Sequence, residues 1–305
     1  MVQGRPKHVL SFDIEEHFQV EAFWSVARRR EWDHLASRVE RNTRKIADLL
    51  SAHSTKATFF VLGWVAERHP GLVRDLAQDG HEIGSHGYGH ELVHTQAPAQ
   101  FREDVRRSKR VLEDLIGRQV MGYRAPSFSI TARTNWALSV LVEEGYRYDS
   151  SIYNRFRGRQ ERGMAGVGAY QLKTEAGTIW EVSPSTMDVC GLQLPVAGGG
   201  YFRLFPYTAS RMFLKNLEKQ GAQLVMYLHP WELDPEQPRM DGPMLSKIRH
   251  YMNLGKTERR LKLLLRDFAF APIHEAVDPV RDMCVRLGER SQEIVTRREP
   301  AFLSA

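Results

Sequence analysis

The stretch HEIGSHGYGH, residues 81–90, decides how the rest of the chain is interpreted. It follows an Asp-Gly turn signal, begins as a short strand and then places two glycines between two histidines. If the segment after Ser85 turns into a helical loop, the four-residue spacing puts His86 and His90 on one face, within reach of one metal ion. Such pairs also occur on surfaces and in cores, so the metal site needs support from other motifs.

The composition is that of an ordinary globular enzyme. The chain has 305 residues, 42% hydrophobic and 26% charged, which is enough for one large α/β domain or two small ones. Its net charge of +6 comes largely from short arginine clusters that we interpret as solvated helix faces. No stretch alternates basic and aromatic residues as a nucleic-acid platform would, so we expect no nucleic-acid partner.

Cysteine usage and the N-terminal sequence bear on the compartment. Cys190 and Cys284 are the only two cysteines, too few for a disulfide framework or a cysteine-based zinc site. The start MVQGRPKHVLSF has no apolar signal segment, and no later run approaches the length of a membrane span. We expect a cytoplasmic protein, associated with a membrane only through substrate or partners, and a homodimer stays open.

Strands and helices alternate over the first half of the chain. The runs HVLSFDI (8–14) and KATFFVL (56–62) are typical of buried strands. Shorter strands are predicted at 120–124 and 146–149, and helices at 38–53, 64–78, 98–116 and 131–144. The alternation predicts an α/β protein with mostly parallel strands in a distorted (β/α) barrel.

From residue 151 the pattern changes to glycine-rich segments and short strands. Strands are predicted at 178–182, 192–196 and 222–228, and helices at 207–220 and 258–267. The glycine run at 198–200 lacks the ending of a phosphate-binding loop. We predict one domain over 1–277, with a C-terminal region from about 155 to 277 packed on the barrel, and a charged tail over 278–305.

Four polar motifs each follow a predicted strand. Parallel strands place their carboxyl ends at one edge of a sheet, where such folds keep their chemistry. Independent accidents would not all fall at that edge. The motifs are Asp13-x-Glu15, His86-x3-His90, Arg124-x-Pro126 and His229.

Two histidines and one carboxylate leave open positions on a divalent metal such as zinc, as in catalytic sites. A metal so held polarises a carbonyl oxygen and lowers the pKa of a water. A second carboxylate can accept a proton from that water, and a histidine opposite can protonate a leaving amine. The set suits hydrolysis of an amide or ester, with either Glu15 or Glu16 as the metal carboxylate.

These motifs resemble those of the polysaccharide deacetylases of the NodB-homology type, carbohydrate esterase family 4. The segments are FDIEEHF, SHGYGH, YRAPSFS, YDSSIY and VMYLHPWELD. Two further segments, GGGYFRLFPY and YLHPWELDPEQPR, are similar to the subgroup associated with exosortase-linked exopolysaccharide gene clusters. The resemblance covers roughly residues 8–150 and the strand that leads to His229.

The resemblance implies a role for each matching position. Asp13 is the general base, and Arg124 holds it. Glu15, His86 and His90 are the metal ligands.

The resemblance also implies that His229 is the general acid, supported by Asp149, and that the backbone N–H of Ser127 forms the oxyanion hole. The chain departs from the family at two points. The usual adjacent Asp-Asp pair is replaced by Asp-Ile-Glu, so Glu16 competes for the metal. Ser127 stands where the family has an aromatic residue, so a sugar-stacking surface is expected to be lost.

The expected activity is therefore removal of acetyl groups from N-acetylated sugars of an exopolysaccharide or its precursor. The partner is then an acetylated polysaccharide or oligosaccharide. Two alternatives stay open: a C–N hydrolase acting on a small cyclic amide or ureide, and a non-catalytic glycan-binding subunit of a polysaccharide assembly complex. Tyr201 and Trp231 either line a sugar-binding surface or pack in the core.

Overall fold

The computed structural model describes residues 7–24, 27–153, 169–189, 192–278 and 280–282. Its main feature is a curled sheet of nine mostly parallel strands with helices packed against it. The predicted fold class is confirmed. Among the described residues, no helix is both long enough and apolar enough to cross a membrane.

The sheet runs in the order β10-β1-β2-β3-β4-β5-β7-β6, and β11 also pairs with β1. All of these pairs are parallel except β6 with β7, and β8 and β9 form a separate antiparallel hairpin. The strands are β1 His8–Ile14, β2 Thr58–Val61, β3 Glu82–Ser85, β4 Gly122–Tyr123, β5 Tyr148–Asp149, β6 Tyr170–Thr174, β7 Gly177–Glu181, β8 Thr186–Val189, β9 Leu192–Pro195, β10 Val225–Leu228 and β11 Phe270–Ala271.

The described part of the chain also carries helices before, between and after these strands. They are α1 Val39–Ala52, α2 Gly63–Arg68, α3 Pro70–Gln78, α4 Pro98–Ile116, α5 Trp136–Glu143, α6 Gly199–Leu204, α7 Tyr207–Lys219, α8 Met244–Tyr251, α9 Leu254–Asp267 and α10 Ile273–Ala276.

Strand β1 shows how the sheet separates packing from chemistry. All seven of its residues are buried. Leu10, Phe12 and Ile14 belong to the large hydrophobic core. Ser11 and Asp13 point to the other face, where both contact the guanidinium of Arg124. The two-residue period of a strand therefore gives one face to the core and the other to a polar site inside the curl.

Several helix boundaries differ from the predicted ones for local reasons. The predicted helix 64–78 is two helices, because Pro70 begins a new helix and His69 before it has an extended φ of −125°. The predicted helix 131–144 begins at Trp136, since Thr131 and Thr134 close a turn through their own hydrogen bonds. The glycine run at 198–200 opens α6 and is not a loop.

The region after residue 155 is built into the sheet and not only packed on it. It supplies β6, β7, β10 and β11. Strand β1, the first strand, lies between β2 and β10, so the C-terminal region completes the sheet around the predicted site. Nearly all of the predicted tail 278–305 lies outside the described residues, as do Cys190 and Cys284.

Candidate functional site

The register of the sheet brings the predicted motifs to one edge. Val61 pairs with Ser85, Ser85 with Tyr123 and Tyr123 with Asp149. His86 and Arg124 directly follow β3 and β4, and Glu15 and His229 directly follow β1 and β10. All four polar motifs therefore leave their strands at the same end of the sheet.

Glu15, His86 and His90 form a cluster suited to a divalent metal. One ligand atom from each lies within 4.8 Å of the others, and all three residues are buried. The Glu15 Oε2 atom lies 2.6 Å from His90 Nε2 and 3.7 Å from His86 Nε2. His86 Nδ1 lies 2.8 Å from the carbonyl oxygen of Arg124. When the Nδ1–H group donates a hydrogen bond to this oxygen, Nε2 is the ring atom left to bind a metal. Two imidazoles and one carboxylate fit a catalytic divalent metal.

The loop that carries the two histidines is not helical, contrary to the sequence prediction. Gly87 and His90 have left-handed backbones, with φ of 74° and 54°. Asp104 on α4 accepts hydrogen bonds from two backbone N–H groups of this loop, at 2.8 and 3.1 Å. The centroids of the His86 and His90 rings are still only 5.3 Å apart. A turn anchored by an aspartate produces the convergence that a helical turn was expected to give.

The two candidate carboxylates have different partners. Both oxygens of Glu16 lie 3.0 Å from the backbone N–H of Arg38, the residue before α1, and Glu16 also accepts from Ser37. The Glu16 carboxylate is therefore engaged in hydrogen bonds at the start of α1, where backbone N–H groups favour a negative charge. Glu15 is the carboxylate that meets the histidines.

Trp231 belongs to the support of Glu15 and not to an open sugar-binding surface. Its indole N–H donates to Glu15 Oε1 at 3.1 Å. Its ring is 7% exposed and stacks on His250 at 4.2 Å and on His229 at 5.0 Å. Burial raises the pKa of Glu15, but the charges of His90 and His229 and hydrogen bonds from His86 and His90 outweigh it and hold that pKa well below its usual range.

Arg124 and Asp13 form a buried ion pair. The guanidinium donates to Asp13 Oδ1 at 2.7 Å, and Arg124 is fully buried. It also donates to Ser11 Oγ at 2.9 Å, to Ser150 Oγ at 2.8 Å and to the Ser150 carbonyl at 3.1 Å. With its donors so engaged, Arg124 fixes the orientation of the Asp13 carboxylate.

His229 faces the same small volume from the end of β10, the strand that pairs with β1. Its Nε2 atom lies 3.8 Å from Asp13 Oδ2 and 3.7 Å from Glu15 Oε1. Burial lowers its pKa, but the carboxylates of Glu15, Glu232 and Asp13 outweigh that effect and raise the pKa to about 9. The Nε2 atom of His229 therefore faces the space between Asp13 and Glu15.

The carboxylate that supports His229 is Glu232. The prediction that Asp149 supports His229 is therefore wrong. His229 Nδ1 lies 2.7 Å from Glu232 Oε1. Burial raises the pKa of Glu232, but the charge of Arg203 and its contact with His229 lower it. Arg203 Nε donates to Glu232 Oε2 at 2.6 Å. This partnership was not recognised in the sequence, although the HPWE spacing places a carboxylate three residues after the histidine.

Arg203 is itself held from several sides. Its guanidinium donates to the backbone carbonyl oxygens of Arg249, His250 and Met252 at 3.2, 2.8 and 2.9 Å. A Cβ placed on Gly199, in the same helix, would lie 1.9 Å from Glu232 Oε1. The GGGYFR segment therefore supplies both the cation that holds Glu232 and the space that Glu232 occupies.

Asp149 instead pairs with Glu181 on the neighbouring strand. The two residues are register partners in β5 and β7, and both are fully buried. Burial raises the pKa of Asp149 to about 6 and, together with the Asp149 charge, raises the pKa of Glu181 well above its usual range. Both shifts favour the protonated, uncharged form of a carboxyl in this pair. Ser151 Oγ donates to Asp149, and the N–H of Ile152 donates to Glu181 at 3.0 Å.

Ser127 lies on the exit loop of β4 beside an aromatic surface. It is exposed and has a left-handed backbone with φ of 51°, as does Phe128 with φ of 53°. The Phe128 ring lies 4.7 Å from that of Tyr227 and 5.2 Å from that of Tyr153. An aromatic ring is present one residue later, at Phe128, and the expected loss of a sugar-stacking surface at Ser127 stays a prediction. The role of the Ser127 N–H stays a prediction.

Two family models match the chain in succession. Residues 31–148 match the polysaccharide deacetylase family, and residues 150–278 match a domain of unknown function, DUF3473. The first match contains His86, His90 and Arg124, whereas His229 and its support lie in the second.

Curated relatives are similar over shorter stretches. A peptidoglycan-N-acetylglucosamine deacetylase of Bacillus cereus is 39% identical over 75 residues, 25% of this chain and 27% of that protein. A peptidoglycan deacetylase of Helicobacter pylori is 29% identical over 108 residues, 35% of this chain and 36% of that protein. A chitooligosaccharide deacetylase of Azorhizobium caulinodans is 33% identical over 85 residues, 28% of this chain and 40% of that protein. The matches thus span two-fifths or less of these relatives.

Solved structures show the same fold at low sequence identity. A chain from Mycobacterium smegmatis, assigned to the polysaccharide deacetylases, has a TM-score of 0.61 with 19% identity, and the alignment covers 93% of each chain. The allantoinase PuuE has a TM-score of 0.54 with 17% identity, covering 88% of this chain and 87% of that one. Both similarities support the assignment of the fold. Neither of them shows which reaction this chain catalyses.

Proposed function

We propose, from the premise that this chain carries a polysaccharide deacetylase domain, that it is a metal-dependent hydrolase removing acetyl groups from N-acetylated sugars. One observation carries the proposal. The metal-type cluster of Glu15, His86 and His90 lies beside the Asp13–Arg124 pair, and His229 Nε2 comes within 4 Å of both Asp13 and Glu15. A base, an acid and a metal set share one edge of the sheet.

A metal held by Glu15, His86 and His90 would polarise the amide carbonyl and lower the pKa of a water. Zinc is our proposal for its identity, because two imidazoles and one carboxylate suit it. Asp13, oriented by Arg124, accepts a proton from the attacking water. His229, held at Nδ1 by Glu232, delivers a proton from Nε2 to the leaving amine.

Ser127 completes the proposed set. Its backbone N–H lies on the exit loop three residues after Arg124, and the left-handed backbone of this loop turns it away from the path of β4. We assign this N–H to the oxyanion that develops as the acetyl carbonyl becomes tetrahedral. Asp149 has no direct part in this proposal, because it lies opposite Glu181 on β7, and Glu232 is the carboxylate that contacts His229.

The natural substrate is assigned more finely from the second half of the chain. The segments at 198–207 and 227–239 are similar to the exopolysaccharide-associated subgroup, and the DUF3473 match covers both. We therefore propose an exopolysaccharide or its precursor as substrate. The curated relatives are named for peptidoglycan and chitooligosaccharides, which provide assay substrates.

The test is metal content, measured together with acetate release. Purified protein should carry about one equivalent of a divalent metal per chain. The double variant His86→Ala, His90→Ala should lose that metal and release no acetate. His94→Ala is the matched control, since His94 is exposed on the next turn and lies outside the cluster. Protein that binds no metal even when metal is supplied in excess would overturn the hydrolase.

Two other outcomes would redirect the assignment. Bound metal with no acetate release, but hydrolysis of a cyclic ureide, would favour the reaction named for the allantoinase that shares this fold. Glycan binding without any turnover would favour a non-catalytic subunit of a polysaccharide assembly complex.

A further inference from the structure

Helix α8 carries an apolar stripe that faces outward. Its residues Met244, Leu245 and Ile248 are 68%, 61% and 54% exposed, and they account for three of the five exposed large hydrophobic side chains of the described residues. Positions i, i+1 and i+4 of a helix lie within about 100° of one another, so the three side chains share one side of α8. Such an apolar stripe, unlike single apolar residues scattered over a surface, marks a site of interaction.

The opposite side of α8 is fixed to the rest of the protein. His250 is buried, and its ring stacks on that of Trp231 at 4.2 Å. The guanidinium of Arg203 donates to three backbone carbonyl oxygens at the end of α8 and just beyond it. Trp231 in turn stacks on His229 and donates to Glu15. One helix and one indole ring therefore separate the stripe from the proposed catalytic residues.

Basic side chains border the stripe. Because successive residues of a helix are about 100° apart, Lys247 and Arg249 fall on its two edges. Neither forms an ion pair with another described residue. Arg239 adds a third cation, and Asp241 is the only acid between residues 239 and 251. The surface around the stripe thus has an excess of positive charge.

This combination favours an anionic lipid surface over a protein partner. Basic side chains at the edges of an apolar stripe reach lipid phosphates while their stems and the apolar residues enter the headgroup boundary. A stable protein interface buries roughly 800 Å² on each partner, which three side chains of one short helix do not supply. A bilayer needs no matching shape, and its anionic headgroups complement unpaired cations.

We propose that α8 binds this chain to an anionic membrane surface, with the apolar stripe at the headgroup boundary and Lys247 and Arg249 on lipid phosphates. The binding itself does not depend on the proposed function. Together with that function, on which this second step rests, it assigns a substrate presented at the membrane, such as a glycan precursor still attached to its lipid.

The first experiment measures binding of the full chain to sedimented vesicles, without substrate. One set of vesicles is phosphatidylcholine alone, and the other is an equal mixture of phosphatidylcholine and phosphatidylglycerol. The mixed vesicles should bind at least about tenfold more tightly, because each cation near an anionic surface adds to the attraction. Added salt should weaken this binding by screening. No binding to the mixed vesicles would overturn the proposal.

The second experiment assigns the binding to the stripe. The double variant Leu245→Ser, Ile248→Ser should bind the mixed vesicles at least about tenfold more weakly, because it removes apolar area that leaves water on binding. Met212→Ser is the control. Met212 is 61% exposed on α7, but the cation next to it, Arg211, is paired with Asp267. Its binding should equal that of the original protein. Unchanged binding in the double variant would overturn the proposal.

The third experiment separates α8 from the net charge of the chain. The double variant Lys247→Gln, Arg249→Gln should bind the two kinds of vesicle about equally. Arg106→Gln, Arg107→Gln on α4 lowers the net charge by the same amount and should keep the preference for the mixed vesicles. Equal loss of that preference in both double variants would overturn the role of α8.

Acetate release from a soluble chitooligosaccharide separates this proposal from the proposed function. The Leu245→Ser, Ile248→Ser variant should release acetate as the original protein does, which also shows that it is folded. Vesicle binding without acetate release would overturn the hydrolase alone. Acetate release without vesicle binding would overturn the membrane surface alone. If the stripe instead joins two copies, the original protein will dimerise with concentration, the double variant will not, and neither will bind vesicles, which also overturns the membrane surface.

Discussion

Two groups of buried carboxylates lie on this sheet in different surroundings. Asp13 accepts a hydrogen bond from the Arg124 guanidinium at 2.7 Å, and neighbouring histidines hold the pKa of Glu15 well below its usual range. Asp149 and Glu181 meet hydroxyl and backbone N–H groups, and burial raises the pKa of both. Both groups are out of water, so burial does not distinguish them. Cationic neighbours keep the Asp13 and Glu15 group charged and available for chemistry. The Asp149 and Glu181 group instead accepts hydrogen bonds that hold the backbone in place.

The largest effect is expected from removing the charge in the first group. Asp13→Asn keeps the size of the side chain but cannot accept a proton. Acetate release should fall about 10²–10⁴-fold. Metal content should remain at about one per chain, because Glu15, His86 and His90 are unchanged. Activity within tenfold of the original protein would show that another residue is the base.

A control for this substitution is needed because it leaves Arg124 buried without its carboxylate. Such a buried charge destabilises a fold by about 3–5 kcal/mol. Thermal unfolding and circular dichroism must therefore show that Asp13→Asn is folded at the assay temperature. Glu181→Gln is the matched amide substitution in the second group, and its acetate release should stay close to that of the original protein.

A smaller loss is expected when the support of His229 is removed. Glu232→Gln still fills its site but no longer holds the Nδ1 proton with a negative charge. The value of kcat should fall about 10–100-fold, while KM changes little, because Glu232 has no proposed contact with substrate. Glu232→Asp should recover part of the loss. Glu236→Gln, four residues on and exposed, is the control. Equal losses of kcat in Glu232→Gln and Glu236→Gln would contradict the proposed role of Glu232.

A steric substitution tests the same support from another element. Gly199→Ala places a Cβ where the Glu232 carboxylate lies, so that carboxylate must move. We expect kcat to fall about 10-fold through the displaced His229. Gly200→Ala is next to it in α6 and meets no atom within 4 Å, so it should be neutral. A neutral Gly199→Ala would mean that the His229–Glu232 contact tolerates displacement.

The smallest effect on activity, and the clearest one on stability, is expected in the second group. The pKa of Asp149 is about 6 when folded, above about 3.9 in the unfolded chain. Because the folded pKa is raised, its contribution to stability is full below about pH 4 and is lost as the pH rises through 6. Glu181, whose pKa is also raised, adds to that loss.

Glu181→Gln should flatten this dependence, because no second carboxylate then competes for the proton. The free energy of unfolding of the original protein, relative to the variant, should fall by about 1–3 kcal/mol between about pH 4 and pH 8. Urea unfolding at both pH values measures it. Parallel pH profiles would show that Glu181 does not contribute to this dependence on pH.

The sequence was informative where structure is local. The bounds of β1 follow from a short apolar run, those of α4 follow from a proline at its start and a glycine after its end, and the structure has the same bounds. The polar residues after each strand then meet at one edge, because parallel strands in register end together. The metal cluster could be predicted for that reason.

The sequence was less informative where a residue depends on a distant partner. Arg203 and Glu232 are 29 positions apart, and neither sequence motif shows that the other holds it. The loop 86–90 takes its shape from Asp104 on α4, which the spacing of the histidines does not reveal. Asp149 was placed by resemblance, and its neighbour Glu181 becomes visible only once β5 and β7 are side by side.

The position of β1 between β2 and β10 also has a consequence for biosynthesis. Ser11 on β1 bonds to Met226 on β10, 215 positions later in the chain. At about 5–20 residues per second, a ribosome completes β10 roughly 10–40 s after β1. During that interval one edge of a strand that is wholly buried in the folded protein has no partner, and such an edge invites pairing with other chains. Nascent chains stalled before β10 should therefore depend on chaperones, while the catalytic site itself assembles only after most of the protein has been made.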